Sequence, residues 1–224
     1  MKKWILMATV LAGTTVQAAW FGQIGRANGR DEHSIEFIYD TGDRDIRVKG
    51  TNGPDVQLNA HRFTVQYARG LGQGFELFAR GVPFTGRINL ENSSFNPDLW
   101  GLGGGLHWSP PEPLGPVRLG FVAGVDFFQG TKSSRDNLNW LELSLAGGAT
   151  VPLVEHVDLF GGGSFVRPDM RFEISNAVTK FDTEQRFGGF GGIGYSPNDA
   201  WTLTASVELG AEAVVGMSAR YHFQ

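Results

Sequence analysis

The sequence predicts an all-β chain closed into an antiparallel up-and-down transmembrane β-barrel of ten strands, with eight as the alternative if the first hairpin lies outside the wall. Three observations predict it. Runs of about ten residues alternate apolar and polar side chains with a period of two, as strands with one lipid face and one lumen face must. Aromatic residues cluster at the ends of those runs, where a membrane–water interface favours them. Short turns, at Gly72, Pro111, Pro152 and Pro197, alternate with mostly longer polar loops. Mean hydropathy is −0.15 with no long apolar run, which excludes a helical membrane protein but not a barrel.

The N-terminus reads as a secretory signal peptide over residues 1–18. Lys2 and Lys3 precede an apolar stretch from Trp4 to Ala12, and Val16-Gln17-Ala18 is a small-residue cleavage site. That stretch is far shorter than the roughly 20 residues of a spanning helix. Loss of Lys2 and Lys3 moves the formal charge from −4 to −6, leaving no basic footprint for nucleic acid. There is no cysteine, so neither disulfides nor thiolate metal sites hold the exported chain together.

Residues 19–32 carry no sustained period and read as a periplasmic lead-in; the barrel is expected over 33–224. The first strand is expected over Ser34 to Asp40, the second over Leu58 to Arg69, with a polar loop at 41–55 between them. The third starts at Phe75 and changes apolar parity near Val82-Pro83, because Phe84, Ile88 and Leu90 are even-numbered. A bulge at the proline accounts for that shift. The fourth runs between Trp100 and Trp108, and the fifth places Val117 to Phe127 on one face. The sixth carries Leu141 to Val151 and the seventh runs from Val157 to Val166, with loops at 130–139 and 168–182.

The last forty residues complete the pattern. Gly188, Phe190, Gly192 and Gly194 alternate with Gly189, Gly191, Ile193 and Tyr195; a Ser196-Pro197-Asn198-Asp199 turn follows, then a strand led by Trp201 and a final strand ending Arg220-Tyr221-His222-Phe223. This ending resembles the closing strands of the small outer-membrane barrels related to the transmembrane domain of outer membrane protein A and to the opacity-type proteins. The resemblance implies insertion in the bacterial outer membrane, contact with lipid and lipopolysaccharide, a monomer, and partners reached through surface loops.

If the apolar parity faces lipid, the other parity fills the lumen. It holds Glu36, Glu76, Asp126, Glu142, Asp158 and Glu208 against Arg62, Arg80, Arg118, Arg186 and Arg220. Near-equal numbers, with arginine used each time, suit a packed ion-pair network. Arg220 is expected to reach across strands to Asp158 or Glu76. Tyr39, Tyr67, Trp100, Trp108, Tyr195, Trp201, Tyr221 and Phe223 make the expected aromatic girdle.

Chemistry is sparse. Gly189-Phe190-Gly191-Gly192-Ile193-Gly194 matches a dinucleotide fingerprint in letters, but it lies inside a strand with no helix to follow, so no cofactor is expected. No two histidines converge on a metal, and Ser144 with Glu142 lacks a histidine beside it, so no catalytic residue is assigned. The expected function is a structural or surface-interaction barrel with a salt-bridged lumen. The alternatives are a narrow channel for small solutes and an enzyme acting on lipid A or phospholipid.

Overall fold

A computed structural model describes residues 23–48, 56–90, 93–95, 98–133, 136–174, 177–182, 186–210 and 214–224. The signal-peptide and first lead-in positions lie outside these residues. The strands are β1 (His33–Val48), β2 (Val56–Gly72), β3 (Phe75–Leu90), β4 (Ser93–Phe95), β5 (Asp98–Trp108), β6 (Arg118–Ser133), β7 (Asp136–Val154), β8 (Val157–Ile174), β9 (Ala177–Asp182), β10 (Phe187–Asn198), β11 (Trp201–Gly210) and β12 (Val214–Phe223).

Ten of these form the wall, each antiparallel to its neighbours in chain order, while β4 pairs only with β3, and β9 pairs antiparallel with the ends of β8 and β1. The ring shuts where β12 meets β1, from His33↔Phe223 to Thr41↔Val215, and where β8 meets β10. Closure leaves no edge strand in lipid, where each unsatisfied backbone group costs several kcal/mol. The start of β1 and the end of β12 both lie at the rim of short turns, at Gln73–Gly74, Glu155–His156 and Asp199–Ala200. That rim is the periplasmic one.

Six wall strands are longer than expected. β1, β2, β3, β6, β7 and β8 have 16 to 19 residues, against the 9–11 that cross a bilayer. They all continue past the outer rim, so much of what the sequence suggested as loops 41–55, 130–139 and 168–182 is strand. Residues 49–55, 134–135 and 175–176 lie outside the described ones.

Polarity reverses along this projection. At its level His61, Arg167, Asp169 and Arg171 are exposed on the outside, while Leu99, Phe128, Leu138, Trp140, Val166 and Met170 are buried inside. Water rather than lipid surrounds this part, so the apolar parity moves inward to escape it. The expected bulge at Val82-Pro83 is absent for this reason. Pairing of β3 with β2 and with β5 keeps one register on both sides of Pro83, and Val82 is buried on the inward face that Glu76 and Arg80 share.

Candidate functional site

The lumen is the candidate site, and it is filled in tiers. Uppermost is the apolar tier just described, centred on the Phe128 and Trp140 rings with centroids 5.0 Å apart. Below it lies a charged tier. Arg62 Nε donates to Asp40 Oδ1 at 2.8 Å, and Arg80 Nε donates to Asp126 Oδ1 at 2.6 Å while its Nη2 pairs with the other carboxylate oxygen. Glu142 is fully buried at this level, Ser218 donates to Glu36 at 2.5 Å, and Ser164 donates to Glu208. Each ion pair links strands: Asp40 and Arg62 face each other on β1 and β2, and Arg80 of β3 reaches over Gly103 of β5 to Asp126 of β6.

A short apolar layer follows, made of Ala68, Phe78, Val122, Ala146 and Ile24, with Phe190 packed against it. Ile24 comes from no wall strand. It comes from the expected lead-in, of which residues 23–32 are described. Its residues Gln23 to Glu32 turn into the periplasmic mouth, and Ile24 is 0% exposed there. We call this segment the strap.

Polar contacts hold the strap on nearly every side. The Gly25 N–H donates to Thr150 Oγ1 at 3.0 Å, the Asn28 N–H to Glu76 Oε2 at 2.7 Å, and Arg26 Nη1 to Ser196 Oγ at 2.9 Å. Ser109 Oγ donates to the Gly25 carbonyl at 3.0 Å, and His107 Nε2 lies 2.7 Å from the Ile24 carbonyl. These bonds pair backbone groups that burial would otherwise strand, each at a cost of about 1–3 kcal/mol. Two glycines of the wall make the room: a Cβ on Gly120 would lie 1.5 Å from the Ile24 carbonyl oxygen, and one on Gly70 would lie 1.7 Å from that of Gly29.

The lowest ion pairs bracket the strap. Arg220 Nη2 donates to Glu76 Oε2 at 2.5 Å and its Nε to Ser34 Oγ at 2.9 Å; His107 Nδ1 lies 3.7 Å from Glu76. Arg118 Nη2 lies 3.0 Å from Asp158 Oδ1, and Gln23 Nε2 donates to Asp158 Oδ2 at 2.5 Å. Of Arg220's two expected partners, the structure shows Glu76. Arg186 sits half-buried at the entry to β10, where its carbonyl accepts the Val166 N–H at 2.8 Å. The sequence pattern does not single out Asp40, which shares the inward parity of Glu36 but stands at the last position of the expected first strand. Nor does it single out Gln23 and Asn28, since an aperiodic segment carries no parity to read.

On the outer surface Tyr39, Tyr67, Trp100, Tyr195, Trp201 and Tyr221 are exposed, and Trp108 and Phe223 are half-buried by stacking. Phe223 stacks on His33 at 5.7 Å and Trp108 on Phe121 at 5.7 Å. Between these aromatic ends the outward positions Leu102, Leu106, Val125, Leu143, Leu145, Leu203 and Met217 are exposed and apolar, a band suited to lipid.

The chain is a closed ten-stranded β-barrel with an apolar outer band. No family model and no curated protein matches it. Among solved structures it is similar to the outer membrane protein OprG from Pseudomonas aeruginosa, at 12% identity and TM-score 0.46 over 90% of this chain and 99% of that one. An outer membrane channel from Pseudomonas putida F1 gives 9% identity and TM-score 0.49 over 92% and 100%. The translocator domain of the autotransporter NalP from Neisseria meningitidis gives 10% identity and TM-score 0.46 over 100% and 94%.

Among the described residues no group of three or more metal-ligating side chains converges. Gly188 to Gly194 lie inside β10, between β8 and β11, as expected of a strand rather than a phosphate loop.

Proposed function

We propose that this barrel is a closed outer-membrane protein of structural or surface-interaction type rather than an open channel. The observation that carries the reading is the blocked lumen: an apolar tier, a paired charged tier and the strap succeed one another along one axis. A conducting path needs hydrated groups, and here the lumen carboxylates Asp40, Glu76, Asp126 and Glu142 are each at most 2% exposed. In planar bilayers the folded protein is expected to give no steady conductance steps above background. Large, sustained steps from the wild type would return the narrow channel to first place.

The same reading favours a partner over a reaction. Ser144 is 1% exposed and Glu142 is 0% exposed beneath the apolar tier, so a lipid or peptide substrate has no approach to either. The projecting strands instead raise Arg167, Asp169 and Arg171 above the lipid band, polar and exposed on a rigid support, as an extracellular partner would require.

Export by a cleaved signal peptide, and kinship with the opacity-type barrels, belong to the same proposal and rest on the sequence. N-terminal sequencing of the outer-membrane fraction is expected to read Ala19-Trp20-Phe21-Gly22. A mature start before residue 10 would remove that part of the reading.

A further inference from the structure

The periplasmic mouth is not filled by the strap alone. Beside it opens a cavity of about 710 Å³, bounded by the strap from Gly25 to Arg30, the β2–β3 turn from Leu71 to Phe75, Ser109 to Pro111, and Arg118. Its volume falls in the range of small-molecule sites, roughly 300–1,000 Å³.

The charge of that lining is one-sided. Three arginines, Arg26, Arg30 and Arg118, are among the lining residues and no acidic residue is, in a chain whose formal charge is −4. Arg118 has a partner outside the cavity, Asp158. Arg26 donates to the neutral Ser196 hydroxyl. Among the described residues neither Arg26 nor Arg30 makes an ion pair, so both leave N–H donors for something else. The remaining wall, with Leu71, Phe75, Pro110 and Pro111, is apolar.

We propose that this cavity binds a small periplasmic molecule bearing a phosphate or carboxylate group, held by Arg26 and Arg30 with Arg118 behind them. A guanidinium offers a planar pair of N–H donors that matches either oxyanion. The apolar lip accepts the uncharged part of the ligand.

The electrostatics agree. Burial, and then the neighbouring guanidiniums of Arg118 and Arg220, hold Arg26 below the ordinary arginine value, with Asp158 and Glu32 opposing them only in part. Crowded cations of this kind are relieved by a bound anion. A second cavity, of about 430 Å³, shares Arg26 and Arg118 as one wall, but Asp158, Glu155 and Asp199 line it. Acidic residues thus line the second cavity and none lines the first, which favours the first for an anion.

Two probes distinguish the sources of such a ligand: inorganic phosphate, and a wall-derived muramyl peptide carrying carboxylates. Each is titrated calorimetrically into the folded full-length protein in detergent at low ionic strength. At least one should bind saturably and more weakly as salt rises, and the one that binds names the source. Arg30→Gln, at an exposed position, keeps most of the stem that lies over Gly72 and should weaken binding about tenfold or more; Arg26→Gln/Arg30→Gln should abolish it. Absence of saturable binding by both probes, or unchanged affinity in the Arg30→Gln protein, overturns the proposal.

Discussion

Arg220→Ala is expected to lower the unfolding stability of the barrel by about 3–5 kcal/mol. Glu76, its partner at 2.5 Å, has a side chain only 1% exposed, and Arg220 itself is 11% exposed. Removing the guanidinium leaves a desolvated carboxylate whose remaining contacts are the Asn28 N–H at 2.7 Å and His107 at 3.7 Å. It also frees Ser34 Oγ from its bond to Arg220 Nε. The loss spreads across strands, because this one side chain ties β12 to β1 and β3. Arg69 makes a useful contrast: it pairs with Asp31 at 2.9 Å, but both side chains are more than half exposed. Surface pairs of that kind gain little, so Arg69→Ala should leave the urea midpoint where it was. Midpoints measured on the two variants in lipid vesicles decide the matter; an unshifted midpoint for Arg220→Ala refutes a buried pair at this site.

The wall was legible in the sequence because lipid and lumen impose opposite demands on alternate residues. That demand placed Trp100, Trp108 and Trp201 outward and Arg80, Arg118, Asp126 and Asp158 inward, where the structure pairs Arg80 with Asp126 and Arg118 with Asp158. It fails where the surroundings change. Beyond the lipid band the outside is water, so Val82, Leu138, Trp140 and Met170 turn inward. A reader holding the lipid parity fixed must then invent a bulge at Pro83 and shorten the strands. The signal that would have found the reversal is the polar outward set Arg167, Asp169 and Arg171, which alternates with Val166, Met170 and Phe172.

The strap was illegible for a different reason. Its ten residues have no period, and its contacts reach partners as distant in sequence as Asp158 and Ser196. Only the glycines hinted at it. Gly120 lies on the inward parity of β6 between Arg118 and Val122, at the height where the Ile24 carbonyl passes.

That glycine supports the second large expectation. In Gly120→Ala the added Cβ would sit 1.5 Å from the Ile24 oxygen and 2.4 Å from its carbonyl carbon. Both are backbone atoms, so no rotamer change relieves the overlap and the strap must leave its seat. Leaving it forfeits the burial of Ile24, a side chain that contributes about 1.5–3 kcal/mol when fully enclosed. The closed and open mouths then differ in population by roughly ten- to hundredfold from the wild type. Trypsin reports this directly when opening and closing are fast, since cleavage follows the open fraction. Arg26 is half-buried and bonded to Ser196 in the seated strap. Cutting after Arg26 should accordingly run about ten- to hundredfold faster in the variant, while the heat-modifiable gel band of the folded wall persists. Ile24→Ala weakens the same anchor without any clash and should shift cleavage in the same direction. Conductance should stay low in both, because the charged and apolar tiers above still close the lumen. Equal cleavage rates in wild type and Gly120→Ala, with the wall intact, would show that the strap does not depend on this seat.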